Sequence, residues 1–342
     1  MHSHKRFFNT MRLWLYAIGL AVIATTSLGQ SRTPTIAMVL PRDEQDIEAG
    51  FRSYIKTHNL PAAIEVVRFS GREEDGPVLI ARVRKLAPDL IYSWGTGTTL
   101  ALAGKHDAPR PEDFIRDIPI VFTEVTDPVG SKLLRRLDGP GRNVTGVSHV
   151  APLRAQLSAM RGYRPFLRVG YIVNPKEHNT LLVLQAMREL APEMKFEVID
   201  ETLSLDATGS PDPAGLPAVI RRLAQRRVDF LYIGPSTFLA FTHRDLVTQA
   251  ALDARLPTFC ATESVVRKAK CMFGLFSSGT SVGRFAGHKA VQILVDKKPV
   301  SEIPAETLKR FSLLINMPVV HALQQYPPLT LLNVAEVIER KP

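Results

Sequence analysis

The sequence predicts an α/β protein of two Rossmann-like lobes, each a parallel sheet flanked by helices. Three observations support this prediction. The 342 residues exceed what one hydrophobic core usually contains. Short apolar strand patterns alternate with helical patterns, which is typical of parallel sheets with helices on both faces. The alternation then restarts near residue 168, so the second lobe repeats the element order of the first.

The elements of the first lobe follow from hydrophobic periodicity. The stretch TIAMVL at 35–40 is an apolar run of strand length. After it, Ile47, Phe51 and Ile55 recur at helical spacing and predict a helix over 46–57. The other predicted strands are 63–69, 89–94 and 118–123, and the other predicted helices are 78–86, one from Thr98, and 130–137.

The second lobe is predicted from the same two patterns, and three late elements follow it. Its predicted strands are 168–173, 195–200, 229–234 and 256–261, and its predicted helices are 180–190, 216–225, 238–252 and one from Glu263. The late elements are a strand at 271–278, a helix at 281–295 and a strand at 310–317. Because they come after both lobes are nearly complete, they predict a hinge of more than one strand.

The N-terminus predicts a secretory signal peptide over residues 1–29. Basic residues from Lys5 to Arg12 precede an apolar stretch at 13–24, and small residues follow it. An uncleaved membrane anchor is the alternative, but about twenty apolar residues are needed to span a bilayer and this stretch is shorter. We therefore expect a cleaved signal and a periplasmic protein.

The charge and motif content exclude several classes of protein. The formal net charge is +10, but the basic residues are scattered and no zinc-finger, RNA-binding or helix-turn-helix pattern is present, so we expect no nucleic-acid partner. No nucleophile elbow, zinc-protease motif or P-loop occurs. The nine histidines fall in unrelated segments. We therefore expect no enzyme activity, no cofactor and no metal site.

The two cysteines, Cys260 and Cys271, leave their pairing open. An oxidising compartment permits a disulfide. The two residues lie at the end of one predicted strand and the start of the next, and a bond requires specific geometry. The sequence therefore favours unpaired cysteines.

Five predicted strands end in small, polar or Gly/Pro residues. In open parallel sheets, ligands bind beyond the carboxyl ends of the strands. Two lobes whose loops face each other therefore predict a ligand-binding cleft. The five strand ends are 92–99, 121–128, 171–180, 232–237 and 259–264.

With these residues in view, the chain resembles the ABC transporter substrate-binding proteins typified by tryptophan- and tyrosine-binding lipoproteins. These are periplasmic binding proteins of the three-crossover type I class. The most specific similarities are DPV, NVTGVS and the closing YPPLTLLNVAEVIE. The resemblance covers nearly the whole chain after the signal, through the segments 89–99, 117–134, 140–148, 168–180, 228–237, 256–264, 273–294, 308–317 and 326–340.

The resemblance implies a venus-flytrap protein that captures a small molecule between its lobes and delivers it to an ABC permease in the inner membrane. The ligand would be an amino acid or a related compound, and we expect a monomer. NVTGVS, FGLFSS and SLLIN would form the three hinge crossings. Lobe 1 would comprise 30–147 with 276–309, and lobe 2 would comprise 148–275 with 310–342.

The first lobe offers an anion site and a cation site. Thr98 and Thr99 open a predicted helix, where hydroxyl and N–H groups bind a carboxylate or serve only as an N-cap. Glu124, where family members mostly carry small residues, either pairs with a ligand amino group or points to solvent. The predicted ligand-binding residues of this lobe are Trp94, Thr96, Thr98, Thr99, Thr123, Glu124 and Thr126.

The second lobe offers polar residues but departs from the family pattern. The family often has Asp-Asn at Ser236-Thr237, and Ser-Asp-Glu-Ser where this chain has 261–264. These losses weaken the expectation that it binds the same amino acids. The predicted ligand-binding residues are Asn174, Glu177, Asn179, Ser236, Thr237, Thr262 and Glu263.

Two other functions share this lobe architecture. A ligand sensor would present the same fold to a membrane receptor and remains the alternative to transport. A DNA-binding regulator also has such lobes, but an export signal argues against it.

Overall fold

The computed structural model describes residues 32–69 and 75–339. The predicted signal peptide lies outside these residues. Within them, none of the helices combines the length and the apolar character needed to cross a membrane.

The first sheet has six parallel strands in the order β11-β5-β4-β3-β1-β2. Strands β1, β3 and β4 lie in its centre, and their side chains are almost entirely buried because helices cover both faces. The strands are β1 (Thr35–Leu40), β2 (Ala63–Arg68), β3 (Leu90–Trp94), β4 (Ile120–Thr123), β5 (Val144–Ser148) and β11 (Glu306–Thr307).

The second sheet has seven strands in the order β13-β12-β10-β9-β8-β6-β7. All neighbouring pairs are parallel except β10 and β12, which are antiparallel. The strands are β6 (Arg168–Val173), β7 (Glu197–Thr202), β8 (Phe230–Ile233), β9 (Thr258–Cys260), β10 (Phe273–Phe276), β12 (Ser312–Asn316) and β13 (Glu336–Ile338).

Helices cover the two sheets, and most of them bury one apolar face. The helices are α1 (Asp46–Thr57), α2 (Gly76–Lys85), α3 (Thr96–Ala103), α4 (Leu153–Tyr163), α5 (His178–Met194), α6 (Leu216–Gln225), α7 (Arg244–Asp253), α8 (Glu263–Lys268), α9 (Gly279–Leu294), α10 (Met317–Leu323) and α11 (Leu329–Leu332). A five-residue π-helix, Phe238–Thr242, precedes α7.

The chain passes three times between the sheets. The first passage follows β5, the second joins β10 to α9, and the third joins β11 to β12. Segments 144–148, 273–276 and 312–316 each lie within one sheet and next to one passage. We propose that the lobes divide as predicted, each around one sheet.

Helices α1 and α9 pack closely because glycines face the partner backbone. A Cβ atom on Gly283 would overlap the carbonyl oxygen of Ile47, and one on Gly50 would overlap that of Thr280. This contact attaches α9, which follows the second passage, to the first sheet's helical layer.

Two of the predicted helices do not form single α-helices over their predicted ranges. Residues 130–137 form turns, because the Asp127 carboxylate accepts hydrogen bonds from the N–H groups of Val129 and Gly130 and Lys132 adopts a positive φ of 59°. The predicted helix 238–252 divides into the π-helix and α7 at His243.

The expectation of unpaired cysteines is also wrong. Cys260 and Cys271 form a disulfide with their Cα atoms 6.4 Å apart. Strands β9 and β10 are parallel neighbours, and their register sets Cys260 opposite Gly274, three residues after Cys271. The sequence shows the strands but not that they are adjacent.

Candidate ligand-binding site

A cavity of about 600 Å³ lies at the carboxyl ends of strands from both sheets, where parallel sheets bind ligands. The first sheet's lobe contributes Pro41, Trp94, Gly95, Thr96, Gly97, Thr98, Glu124 and Thr126 to its walls, and the first passage contributes His149. The second contributes Asn174, Lys176, Glu177, His178, Asn179, Thr208, Gly209, Ser210, Pro211, Pro235, Ser236, Thr237, Phe238, Phe241 and Thr242.

The start of α3 forms one wall of the cavity. Gly95 is its N-cap, with φ +82°, a conformation that glycine adopts without strain. Thr96, Gly97 and Thr98 line the cavity. The N–H groups in the first turn of a helix have no acceptor within it, and the helix dipole favours a negative group there. This wall therefore suits a carboxylate.

Thr99 and Thr123, two of the predicted binding residues, do not line the cavity. The Thr99 hydroxyl donates to the carbonyl oxygen of Gly95 at 2.8 Å. The Thr123 hydroxyl donates to the Tyr92 hydroxyl at 2.9 Å, and Tyr92 in turn donates to Glu48. Both threonines are fully buried, so their hydroxyl groups are structural.

Aromatic side chains from the two lobes meet at the cavity. Trp94 and Phe241 pack edge to face with ring centroids 4.9 Å apart. The Arg42 guanidinium lies 4.6 Å from the Trp94 centroid, within range of a cation–π interaction. The indole N–H of Trp94 is buried and has no acceptor among the described residues. A ligand carbonyl or carboxylate would supply one.

Five predicted residues of the second lobe, Asn174, Glu177, Asn179, Ser236 and Thr237, line this cavity, and three of them contact the π-helix or the chain before it. Glu177 accepts a hydrogen bond from the N–H of Phe238 at 2.8 Å. Asn179 donates to the carbonyl oxygen of Pro235, and the Ser236 hydroxyl accepts from the N–H of Leu239. Burial raises the pKa of Glu177. π-helices frequently occur at functional sites.

Glu124 and His149 form the floor of the cavity. Glu124 is 8 % exposed, so its side chain does not point to solvent, and it adopts a positive φ of 56°. Its Oε2 lies 3.1 Å from Nε2 of His149, although that nitrogen is not aligned for a hydrogen bond. Burial raises the pKa of Glu124 to about 8 and lowers that of His149 to about 3. At pH 7 both groups are therefore mainly neutral.

A second, small cavity of about 40 Å³ lies on the other side of this pair, and we call it the side cavity. Glu124, His149 and Phe241 line both cavities. Thr262 and Glu263, the remaining predicted binding residues, line only the side cavity. Glu263 is engaged by the guanidinium of Arg267 and the N–H of Gly279.

Several residues of the site were not predicted from the sequence. Phe238 and Phe241 belong to a segment that reads as an ordinary helix, and His149 is one of nine unrelated histidines. The loop 208–211, closed by the Asp206 carboxylate accepting from Thr208 and Ser210 N–H groups, also lines the cavity. The composition Thr-Gly-Ser-Pro after β7 is the sequence feature that could have identified this loop as part of the site. The described residues contain no group of side chains that could hold a metal ion.

Comparison with known proteins gives consistent results. A curated relative, the tyrosine-binding protein of Clostridioides difficile (strain R20291), is 27 % identical over 262 residues, which cover 75 % of this chain and 70 % of the relative. A conserved domain protein from Vibrio cholerae superposes with a TM-score of 0.77 at 21 % identity, covering 89 % of this chain and 99 % of that one.

A third comparison is the ABC domain in complex with L-Trp from Streptococcus pneumoniae. It has a TM-score of 0.77 at 17 % identity and covers 90 % of this chain and all of that one, 100 %. At these identities the two solved structures show the shared fold, which is that of type I periplasmic binding proteins.

The model of the family described as ABC transporter substrate binding protein matches residues 65–336. This range contains most of both sheets and all of the cavity walls except Pro41. The family consists of transport proteins and is not an enzyme class. The chain belongs to the ABC transporter substrate-binding protein family.

Proposed function

We propose that the protein captures an amino acid or a closely related carboxylate with a flat apolar part in the cavity between its lobes. The observation that carries this proposal is the combination, in one cavity, of the α3 N-terminus with the Trp94 and Phe241 rings. The first suits a carboxylate and the second suits a flat apolar group.

The relatives support this ligand class. One curated relative is a tyrosine-binding protein, and one structural neighbour is a complex with L-Trp. The cavity of about 600 Å³ lies within the usual range for small-molecule sites. The predicted residues that line it, from Trp94 to Thr126 and from Asn174 to Thr237, are then ligand contacts.

We further propose that a cleaved signal exports the protein to the periplasm, where it acts as a monomer and delivers its ligand to an inner-membrane permease. The charged N-terminal stretch and the short apolar run support export. Family membership supports the permease as partner.

The test is substitution at the start of α3. Thr98 is 2 % exposed and lines the cavity, so Thr98→Leu should obstruct the carboxylate position and reduce affinity for L-tyrosine or L-tryptophan at least a hundredfold. Binding is measured by titration calorimetry on residues 30–342. Thr96→Leu, at a less buried position, repeats the test if Thr98→Leu does not fold.

The matched control is Thr57→Leu at the exposed end of α1, which should bind like the wild type. Unchanged affinity in folded Thr98→Leu and Thr96→Leu proteins would place the carboxylate elsewhere and contradict the proposed site.

A further inference from the structure

The side cavity contains more unpartnered polar atoms than a closed core tolerates. The hydroxyl groups of Thr262 and Ser277 are both buried, at 4 % exposure, and neither has a hydrogen-bond partner among the described residues. The Ser264 hydroxyl and both ring nitrogens of His149 are also without a hydrogen-bond partner among the described residues. Buried polar groups nearly always have a partner, so these atoms are available to hydrogen-bond a polar group that enters the side cavity.

The basic side chains around the side cavity are all engaged by carboxylates other than Glu124. Arg42 pairs with Glu48 at 2.9 Å. Arg267 pairs with Glu263 at 2.6 Å and with Glu336 at 2.7 Å, and Lys268 pairs with Asp46 at 3.8 Å. Arg42, Glu48 and Glu263 are the charged groups that act on Glu124 through space.

Glu124 has no Lys or Arg within ion-pair distance in the described part of the chain. Its one close titratable neighbour, His149, is held neutral by burial, which lowers the His149 pKa to about 3. A buried carboxylate without a cation is costly, which is why burial raises the pKa of Glu124 to about 8. The carboxyl group therefore stays protonated in the free protein, and a cation arriving beside it would stabilise its ionised form.

We propose that the side cavity is the subsite for a protonated amine of the ligand, received by the Glu124 carboxylate and the Thr262 and Ser277 hydroxyl groups, and that capture releases one proton. This inference rests on the proposed function, since it names a second functional group of the same ligand. The step is balanced: the ligand keeps its ammonium protons, and the Glu124 carboxyl proton passes to the solvent.

The size and position of the subsite fit an ammonium group. A volume of about 40 Å³ holds one such group but not a side chain. Glu124 lines both cavities, so its carboxyl group lies at the boundary between the side cavity and the main cavity. His149 and Ser277 lie on the first and second passages between the sheets and are joined by a backbone hydrogen bond of 3.3 Å. An amine held here therefore contacts the hinge directly.

The experiment compares amines with their amine-free analogues. L-tyrosine and L-tryptophan are titrated beside 3-(4-hydroxyphenyl)propionate and indole-3-propionate in two buffers of different ionisation enthalpy at pH 7. The amino acids should release about 0.9 proton, as a carboxyl of pKa 8 requires, and the analogues none. Amino-acid affinity should rise about ninefold from pH 6 to 7 and about fivefold from pH 7 to 8, because the Glu124 carboxyl ionises by itself as the pH nears its pKa of about 8.

Variants separate the subsite from the rest of the site. Glu124→Gln should abolish proton release and lower amino-acid affinity at least tenfold while leaving the analogues unchanged. Glu189→Gln, at an exposed position of α5, is the matched control and should behave as wild type. If Glu124→Gln does not fold, the wild-type comparison of amines with analogues decides alone.

The outcomes distinguish the two proposals. Equal affinity for amino acids and analogues, without proton release, would overturn the subsite and leave the proposed ligand class intact. Absence of binding by all four compounds would overturn the ligand class and the subsite with it.

Discussion

At the scale of single residues, Glu124 combines three features. Its backbone is left-handed, its carboxyl group is buried, and no Lys or Arg of the described residues lies within ion-pair distance of it. Because the folded pKa of about 8 is higher than that of an exposed carboxyl, the folded protein binds this proton more tightly than the unfolded chain. The resulting stabilisation is complete below the unfolded pKa and is lost as pH rises through 8. His149 has the opposite dependence but acts below pH 6.5, because its pKa is lowered to about 3.

This predicts how Glu124→Gln changes stability without ligand. As the pH rises from 6.5 to 8, the free energy of unfolding of the wild type should fall relative to that of Glu124→Gln by on the order of 2 kcal/mol. The difference is measured as melting temperature by scanning calorimetry at both pH values, with Glu189→Gln as control. A wild type and a Glu124→Gln variant that lose stability in parallel would show that Glu124 is ionised in the folded protein.

Residue by residue, the sequence predicted positions better than orientations. Thr98 and Glu124 were predicted because strand ends collect polar residues, and both line the cavity. Thr99 and Thr123 lie next to them in the chain but turn into the core to meet Gly95 and Tyr92. Which of two adjacent residues faces the cavity depends on tertiary contacts, and the periodicity of the sequence does not reveal those contacts. His149 carries no local signal, since only the first passage brings it to Glu124.

At the scale of elements, most strands and helices could be predicted because their apolar periods are strong. Strand 35–40 and helices 46–57 and 216–225 have the predicted bounds. The predicted helix at 130–137 is wrong because the Asp127 carboxylate stabilises a turn at the start of this segment. Strand adjacency, and with it the Cys260–Cys271 bond, depends on sheet order, which local patterns do not specify.

The α1–α9 contact gives a test at this scale. Gly283→Ala places a Cβ where the Ile47 carbonyl oxygen lies, so it should destabilise the protein by about 1 to 3 kcal/mol, as overpacking does. Gly139→Ala is the control, because nothing lies within 4 Å of its added Cβ. The free energy of unfolding is measured in urea. Equal stability of the two variants would show that the helices separate without cost.

At the scale of the whole molecule, the two sheets and three passages form a frame in which ligand contacts come from both sides. Trp94 belongs to the first sheet and Phe241 to the segment after β8 of the second, and their ring contact crosses the cavity. A ligand bound in the cavity would contact both lobes, hold them together and stabilise the folded state. The sequence predicted this frame through the repeated element order and the family resemblance, while the ligand itself depends on side-chain geometry.

The most direct test of ligand capture is a thermal-shift screen of residues 30–342 against amino acids, small carboxylates, nucleosides and purines. A compound that binds only the folded protein must raise its melting temperature, by an amount set by concentration and affinity. We predict a concentration-dependent rise with aromatic amino acids and none with nucleosides or purines. A flat response to every amino acid and carboxylate would contradict the proposal that the cavity between the lobes captures such a ligand.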